Sequence, residues 1–266
     1  MTLRRAFAIT VLTLVVLASV GAGFVPGFSY AEQHREFISS GPSAHFPLGT
    51  DDLGRDRLAR LLSATRVSLL LAAAAGVAAL ILAVVAGGTA GYWGGWWDVL
   101  VTRAIDLLLS LPWLFLLLAA RALLPLNVAP LTALVVTYAL LAALGWAAPA
   151  RVVRAGVRSF RESEFVLRAR AEGATEFRIL LRHVVPNLRP ILLAQFWTSI
   201  PVFVLTEANL GFLGLSAGEP FPTWGSLLRE LQNPLLVRPE AFATVGAIAL
   251  SVLCFKLISP KGGLPV

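Results

Sequence analysis

The sequence predicts an all-α polytopic membrane protein with six transmembrane helices in a single domain over residues 1–266. Of its residues, 57% are hydrophobic and only 14% are charged, and the mean hydropathy is +0.78. This composition is too apolar for a soluble globular domain. Six apolar stretches are long enough to cross a bilayer as helices. They lie at residues 6–25, 67–90, 99–120, 131–150, 191–210 and 241–258.

The arginines predict how these spans are oriented. Segment 151–190 lies between the fourth and fifth spans and has a clear excess of arginine over glutamate. Loops with such an excess stay in the cytoplasm. Segment 26–66 has no positive excess, so we expect it to be extracytoplasmic and both chain termini to be cytoplasmic. The net charge of +7 therefore reflects topology rather than nucleic-acid binding.

The ends of the first two spans carry further signals. Small residues at Gly21, Ala22 and Gly23 leave open a cleaved signal peptide, although the apolar run is longer than a usual signal core. Leu58, Leu61 and Leu62 predict a short amphipathic helix at the membrane interface. After the second span, an aromatic belt is expected at the interface. It comprises Tyr92, Trp93, Trp96 and Trp97.

Charged residues near the spans have a structural and a functional interpretation. Asp51, Asp52 and Asp56 lack the EF-hand spacing, which favours helix caps and local ion pairs over calcium. Arg103 and Asp106 are three residues apart, so they predict an ion pair on one helical face rather than a transport site. Pro112 predicts a kink in the third span.

The arginine-rich segment itself has a helical pattern. Gly173 separates two short apolar periodic stretches, with Thr175 as the expected N-cap and Glu176 in the first turn of the second helix. Pro186 is expected to end that helix. We expect its apolar face to pack against the protein's own helices; that face is Phe177, Leu180, Leu181 and Val184.

The spacing of Gly173 and Pro186 resembles the cytoplasmic signature loop of permease subunits in bacterial ABC importers. That signature reads Glu-Ala-Ala, three residues, Gly, nine residues, Ile, one residue, Leu-Pro. Ala169 matches it, whereas His183 and Val185 stand in the Ile and Leu positions. Three phrases resemble the second permease subunit of dipeptide, oligopeptide and nickel importers. They are HFPLGTDDLGRDRLARLLSATRVSLLL, GYWGGWWD and FVLTEANLGFLGLSAGEPFPTWGSLL.

The resemblance implies a type I ABC importer transmembrane domain in the bacterial inner membrane, with no catalytic residue and no cofactor. Its implied partners are a homologous permease subunit, two cytoplasmic ATPase subunits and an extracytoplasmic binding protein that delivers a peptide or similar small solute. The loop that couples to the ATPase is expected to include Ala169, Arg170, Gly173, Ala174, Thr175, Glu176, Arg178, His183 and Pro186.

Glu207 continues the apolar run of the fifth span, where an acidic side chain is costly unless it faces an interior or the interface. It is therefore either part of the translocation path or an anchor for the helix end.

The sequence has no phosphate-binding loop of the Walker type, so ATP hydrolysis must be supplied by another chain. The three histidines, His34, His45 and His183, are too scattered to predict a metal site. An ion-coupled secondary carrier remains an alternative, but such carriers usually have internal repeats and several charges at mid-membrane depth.

Overall fold

The computed structural model describes residues 3–25, 28–123, 128–215, 220–232 and 239–259. Over these ranges the chain is predominantly helical, and the only β-pairing is an isolated bridge between Thr50 and Asp56. The prediction of an all-α protein is confirmed. Residues 216–219, which belong to the third of the resembling phrases, lie outside the described residues.

The α-helices of the described ranges are numbered along the chain. They are α1 Leu3–Gly21, α2 Arg57–Ala83, α3 Thr89–Trp93, α4 Gly95–Ser110, α5 Trp113–Ala122, α6 Pro130–Gly145, α7 Ala147–Phe160, α8 Glu164–Ala171, α9 Glu176–Ile179, α10 Val185–Asn187, α11 Arg189–Phe212, α12 Trp224–Leu228 and α13 Ala243–Ile258. Two π-helical segments, Val84–Gly88 and Leu180–Val184, join α2 to α3 and α9 to α10.

Within the described ranges, five helical stretches are long and apolar enough to cross a membrane. They are Leu3–Phe24, Arg57–Trp93, Pro130–Phe160, Arg189–Phe212 and Pro239–Ile258. A sixth crossing is available if α4 and α5, which are bent by 93° at a short break, count as one span. These stretches correspond in order to the six spans that the sequence predicts.

The second and fourth spans are longer than their apolar cores. The second begins at Arg57, so the leucines expected in a separate interfacial helix form the first turns of α2. The fourth extends through α7 to Phe160, well into the arginine-rich segment. Helix α7 therefore continues the fourth candidate span.

The kink at Pro112 is confirmed and is larger than a proline usually causes. Helix α4 ends at Ser110, and Leu111 is extended, with φ −85° and ψ 139°. The ring of a proline disfavours helical geometry in the residue before it, and the helix restarts at Trp113. The third span is thus two helices rather than one bent helix.

The described chain divides into two compact units. The first consists of Met1–Ala73, Leu123–Tyr138 and Ile200–Ile258. In it, α1 packs along α13, and the buried Trp224 anchors α12 to α2. The indole Nε1 of Trp224 donates to Thr65 Oγ1 at 3.1 Å, and its backbone N–H donates to Ser68 Oγ at 3.1 Å.

The acidic residues that precede α2 serve as caps and local ion-pair partners, as expected. Asp56 Oδ1 accepts the backbone N–H of Leu58 at 2.8 Å and so caps α2. Asp51 accepts the backbone N–H of Leu53 at 2.9 Å and the Nε–H of Arg55 at 2.7 Å. Burial raises the pKa of the Asp56 carboxyl, although its backbone donors oppose that shift. These contacts order the segment in front of the second span.

The second unit consists mainly of Ala74–Ala122 and Ala139–Ser199. It contains α3, α4 and α7, which pack against one another, and the whole arginine-rich segment with α8, α9 and α10. One of its buried clusters, which includes Ala90, Ile105 and Ala147, holds these helices together. This unit carries the candidate functional site.

Candidate coupling site in the arginine-rich segment

Helix α7 is held against the end of the second span by close backbone contacts at two glycines. A Cβ atom on Gly91 would lie 2.6 Å from the carbonyl oxygen of Arg154, and a Cβ on Gly87 would collide with the carbonyl oxygen of Ala150. Small residues allow helices in a membrane to approach this closely. The start of the arginine-rich segment is therefore fixed to the second span by backbone packing.

A buried apolar cluster, which we call the loop core, extends this contact to the short helices. Its members come from α3, α7, α8, α9, the second π segment and Leu188. They are Tyr92, Val153, Val157, Val166, Ala169, Ile179, Leu180, Val184 and Leu188. The loop core makes α8 and α9 part of a packed structure rather than a solvated connector.

Gly173 ends α8 in a left-handed conformation, with φ +82°, as the sequence predicts. The backbone N–H of Ala174 donates to Ala169 O at 3.0 Å, and that of Gly173 donates to Arg170 O at 3.1 Å. These two bonds are the pattern of a Schellman motif. Among the described residues, apart from the immediate chain neighbours, no atom lies within 4 Å of a Cβ built on Gly173, so backbone conformation rather than crowding favours glycine there.

Thr175 occupies the expected N-cap position of α9, with φ −69° and ψ 147°, but its side chain makes no capping bond.

Beyond α9, the expectation that Pro186 ends the helix is wrong. The chain continues through the π segment into α10, in which Pro186 is one of the first residues. A proline is tolerated at the start of a helix because no intrahelical partner is required for its nitrogen.

Glu176 joins both arms of the Gly173 turn. Its Oε1 accepts the Nε–H of Arg170 at 2.8 Å, and its Oε2 accepts an Nη2–H of Arg170 at 3.0 Å. Oε2 also accepts the hydroxyl hydrogen of Tyr92. Arg170 is in α8, Glu176 is in α9, and Tyr92 is the penultimate residue of α3. The three side chains form the latch of the loop, a term kept below for Tyr92, Arg170 and Glu176.

The latch favours the ionised carboxylate. Arg170, and to a lesser degree Tyr92, lower the pKa of Glu176 from 4.5 to about 2. The same contacts raise the pKa of Arg170 further above its ordinary value. The pair therefore stays charged throughout the physiological pH range.

The outward face of α9 differs from the prediction. Leu180 and Val184 are buried, but Phe177 and Leu181 are 60% and 47% exposed. Ile179 is fully buried instead. The step of five residues from Ile179 to Val184 matches the wider π-helical turn, so the buried stripe does not follow the α-helical spacing from which the prediction was made.

The other predicted loop residues occupy two environments. Ala169 is part of the loop core, and Ala174 packs against it. Arg178 is exposed. His183 is partly buried, and its backbone carbonyl accepts the side-chain N–H of Asn187 at 2.6 Å. Only Arg178 among these four presents an exposed charged group.

The predicted ion pair between Arg103 and Asp106 is wrong in its partner. Asp106 Oδ1 pairs with Arg151 Nη2 at 2.7 Å. Nearby, Asp98 forms a two-pronged pair with Arg154, whose Nη2 lies 2.7 Å from Asp98 Oδ2. Arg151 and Arg154 of α7 lie against α4 and pair with its two aspartates. This contact between helices, rather than the spacing of three residues within α4, determines the partner of Asp106.

Glu207 lies in the first unit and is fully buried within the chain. It faces α12, since a Cβ on Gly225 would lie 3.0 Å from its Oε1. Tyr138 lies close enough to interact electrostatically with it. Glu207 thus lies in the packed interior of the first unit, whereas the loop residues belong to the second.

Sequence reasoning missed the role of Tyr92. It assigns Tyr92 to an aromatic belt, yet the residue is only 2% exposed, whereas Trp96 is 76% exposed. No local pattern distinguishes the two, because the contact between Tyr92 and Glu176 joins residues 84 positions apart.

The five or six candidate spans of the described residues and the packed arginine-rich segment are typical of a membrane transport subunit, and comparison with known proteins identifies which kind. Residues 79–259 match the family described as binding-protein-dependent transport system inner membrane component. The chain belongs to this family. It is a permease subunit of an ABC importer in the inner membrane, and ATP is hydrolysed by separate ATPase subunits of such importers.

Individual relatives support the same assignment over nearly the whole chain. The glutathione transport system permease protein GsiD of Shigella dysenteriae serotype 1 is 33% identical over 260 residues, which cover 96% of this chain and 84% of the relative. The dipeptide transport system permease protein DppC of Alkalihalophilus pseudofirmus is 34% identical over 251 residues, 93% of this chain and 80% of the relative. The secondary-carrier alternative is therefore rejected.

The pKa of Glu176 tests the latch geometry. Because its pKa in the folded protein is below the unfolded value, the stabilisation by the ionised carboxylate is complete above about pH 4.5 and is lost as the pH falls toward 2. We expect no titration of Glu176 between pH 8 and about pH 3 in ¹³C NMR spectra of glutamate-labelled protein in nanodiscs, given its pKa of about 2. Arg170→Gln should return the pKa toward 4.5.

The matched control is Arg168→Gln, which removes an arginine from the exposed pair with Glu164 and should leave the Glu176 signal unchanged. Glu176→Gln assigns that signal. Titration of the wild-type residue near its ordinary pKa would contradict the geometry.

Proposed function

We propose that this permease subunit pairs with a homologous permease subunit to form the path for a small peptide or a related solute. Two relatives of comparable identity are named for glutathione, itself a tripeptide, and for dipeptides. Their shared chemistry supports a short peptide as the solute. In this proposal an extracytoplasmic binding protein delivers the solute, and two ATPase subunits supply the energy.

The observation that carries the ATPase part of this proposal is the exposed apolar pair on α9 and the π segment that follows it. Phe177 and Leu181 are large, largely exposed and four residues apart, so they lie on one helical face. The opposite face is fixed in the loop core. Exposed arginines, including Arg178 and Arg182, surround the pair. Such a surface suits a cleft that is apolar in its centre and acidic at its rim.

We assign this surface to an ATPase subunit. Permeases of this family work with ATPase subunits, and the positive excess of segment 151–190 supports a cytoplasmic location for the loop. Gly173, Ala174, Thr175 and Glu176 then set the angle at which α9 is presented. Arg178 contacts the partner directly, while Ala169, Arg170, His183 and Pro186 hold the loop in place.

The docking surface is tested by Leu181→Ala. Leu181 is 47% exposed, so its burial in the partner's cleft contributes about half of the 1.5 to 3 kcal/mol of a fully buried leucine. Its truncation should therefore weaken ATPase binding by about threefold to tenfold. Binding is measured as retention of the ATPase subunits on purified, lipid-reconstituted permease pairs. The control is Leu53→Ala, a comparably exposed leucine at 43% in the segment expected outside. Equal retention in both variants would contradict docking at α9.

The orientation of the chain is tested by chemical labelling. Single cysteines at Ser43 and Ser159, both exposed, in a Cys254→Ala background should react with a membrane-impermeant maleimide from opposite sides of the membrane. Cys254 is the sole cysteine of the chain, so its removal leaves a clean background. Reaction of both positions from the outside would contradict cytoplasmic termini and a cytoplasmic loop.

For Glu207 we propose a position along the translocation path. A fully buried carboxylate beside Tyr138 is costly in a membrane protein and is more readily explained by function than by anchoring at the interface. Glu207→Gln keeps the shape and removes the charge. We expect solute uptake per assembled complex to fall by about fivefold or more, while assembly with the partner permease is retained. Unchanged uptake kinetics would leave Glu207 as a structural residue.

A further inference from the structure

The arginine-rich loop is connected to two transmembrane spans by the continuity of the chain. It continues from the fourth span through α7, and it leads into the fifth span through α11. Tyr92 provides a third attachment, because it belongs to the stretch Arg57–Trp93 that forms the second span. Its ring is in the loop core and its hydroxyl reaches the α9 carboxylate.

The hydrogen bonds of the latch join three elements at one carboxylate. Arg170 connects Glu176 to α8 by two bonds, at 2.8 and 3.0 Å, which fix the angle across the Gly173 turn. Tyr92 connects the same carboxylate to the last turn of the second span. A tyrosine has few rotatable bonds, and Gly91 is packed against the backbone of α7. The Tyr92 hydroxyl is therefore a stiff point of contact.

Packing and hydrogen bonding have separable roles at Tyr92. The ring supplies buried apolar area to the loop core, and phenylalanine would supply nearly the same area. The hydroxyl contributes only its bond to Glu176, whose side chain is 46% exposed. Its removal leaves no fully buried polar group without water, so the cost in stability is small. Loss of this hydrogen bond would instead change the angle between α9 and the second span.

We propose that Tyr92 is a positioning residue for coupling, through which displacement of α9 by the ATPase is transmitted to the second span. The inference depends on the proposed docking of the ATPase at α9. It assigns a separate step, since docking uses Phe177 and Leu181, whereas transmission uses the half-exposed carboxylate of Glu176 that contacts Tyr92. Arg170 keeps α8 and α9 moving as one body during that step.

The test is Tyr92→Phe in the assembled complex of two permease and two ATPase subunits, reconstituted with its binding protein. We expect the ATPase subunits to be retained at the wild-type level, while solute transported per ATP hydrolysed falls by about tenfold or more, the order expected for one charge-assisted hydrogen bond. The matched control is Tyr30→Phe, which removes a hydroxyl from the segment before the second span and should leave transport per ATP unchanged.

A double-mutant cycle identifies the hydroxyl's partner. Glu176→Gln should lower transport per ATP. Adding Tyr92→Phe to it should lower transport per ATP no further, because both changes interrupt the same contact.

A distance between two spin labels provides a structural readout. In the permease pair without ATPase subunits, where a label cannot disturb docking, labels at Trp93 and Leu181, both partly exposed, should give a broader distance distribution in Tyr92→Phe than in the protein with Tyr92.

The outcomes separate the two proposals. Normal transport per ATP in Tyr92→Phe, or full additivity with Glu176→Gln, would overturn the latch as a transmission element even with docking at α9 intact. Unchanged ATPase retention in Leu181→Ala would overturn docking instead. Reduced transport per ATP with normal retention and non-additivity would support Tyr92 in the assigned role.

Discussion

The close approach of two backbones at Gly87 and Gly91 is the constraint on which the candidate site depends. Any larger residue there would separate the end of the second span from α7. That separation would in turn remove the ion pair between Asp98 and Arg154 and expose part of the loop core. Dispersion forces and backbone proximity, rather than apolar burial from water, hold helices together in lipid. The position of the arginine-rich segment thus depends on the backbone contact between the end of the second span and α7.

Charge in the second unit is arranged around this contact. Arg151 and Arg154 of α7 pair with Asp106 and Asp98 of α4, so the first arginines of the segment are used to join helices. The later ones, such as Arg178 and Arg182, remain exposed. The positive excess from which the membrane orientation is predicted therefore has two parts: arginines that join helices and arginines that remain exposed.

The sequence predicts those features that depend on local chemistry. Continuous apolar runs indicate the spans because no water is available to the backbone inside a bilayer. Gly173 and Pro112 are correctly predicted as a helix end and a bend, since their preferences involve only adjacent peptide units. Pairings across the fold are not predictable in this way. Tyr92 with Glu176, and Asp106 with Arg151, depend on how separate helices approach each other.

The π-helical segment Leu180–Val184 changes how sequence spacing relates to direction. A π turn holds one residue more than an α turn, which rotates everything beyond it by about 100° relative to an uninterrupted α-helix. The number of residues between Gly173 and Pro186 therefore does not by itself determine which direction their side chains face around the helix axis. Two helices with the same interval point different faces in a given direction if only one has the wider turn, and a single deletion within it would rotate α10 by about 100° relative to α9.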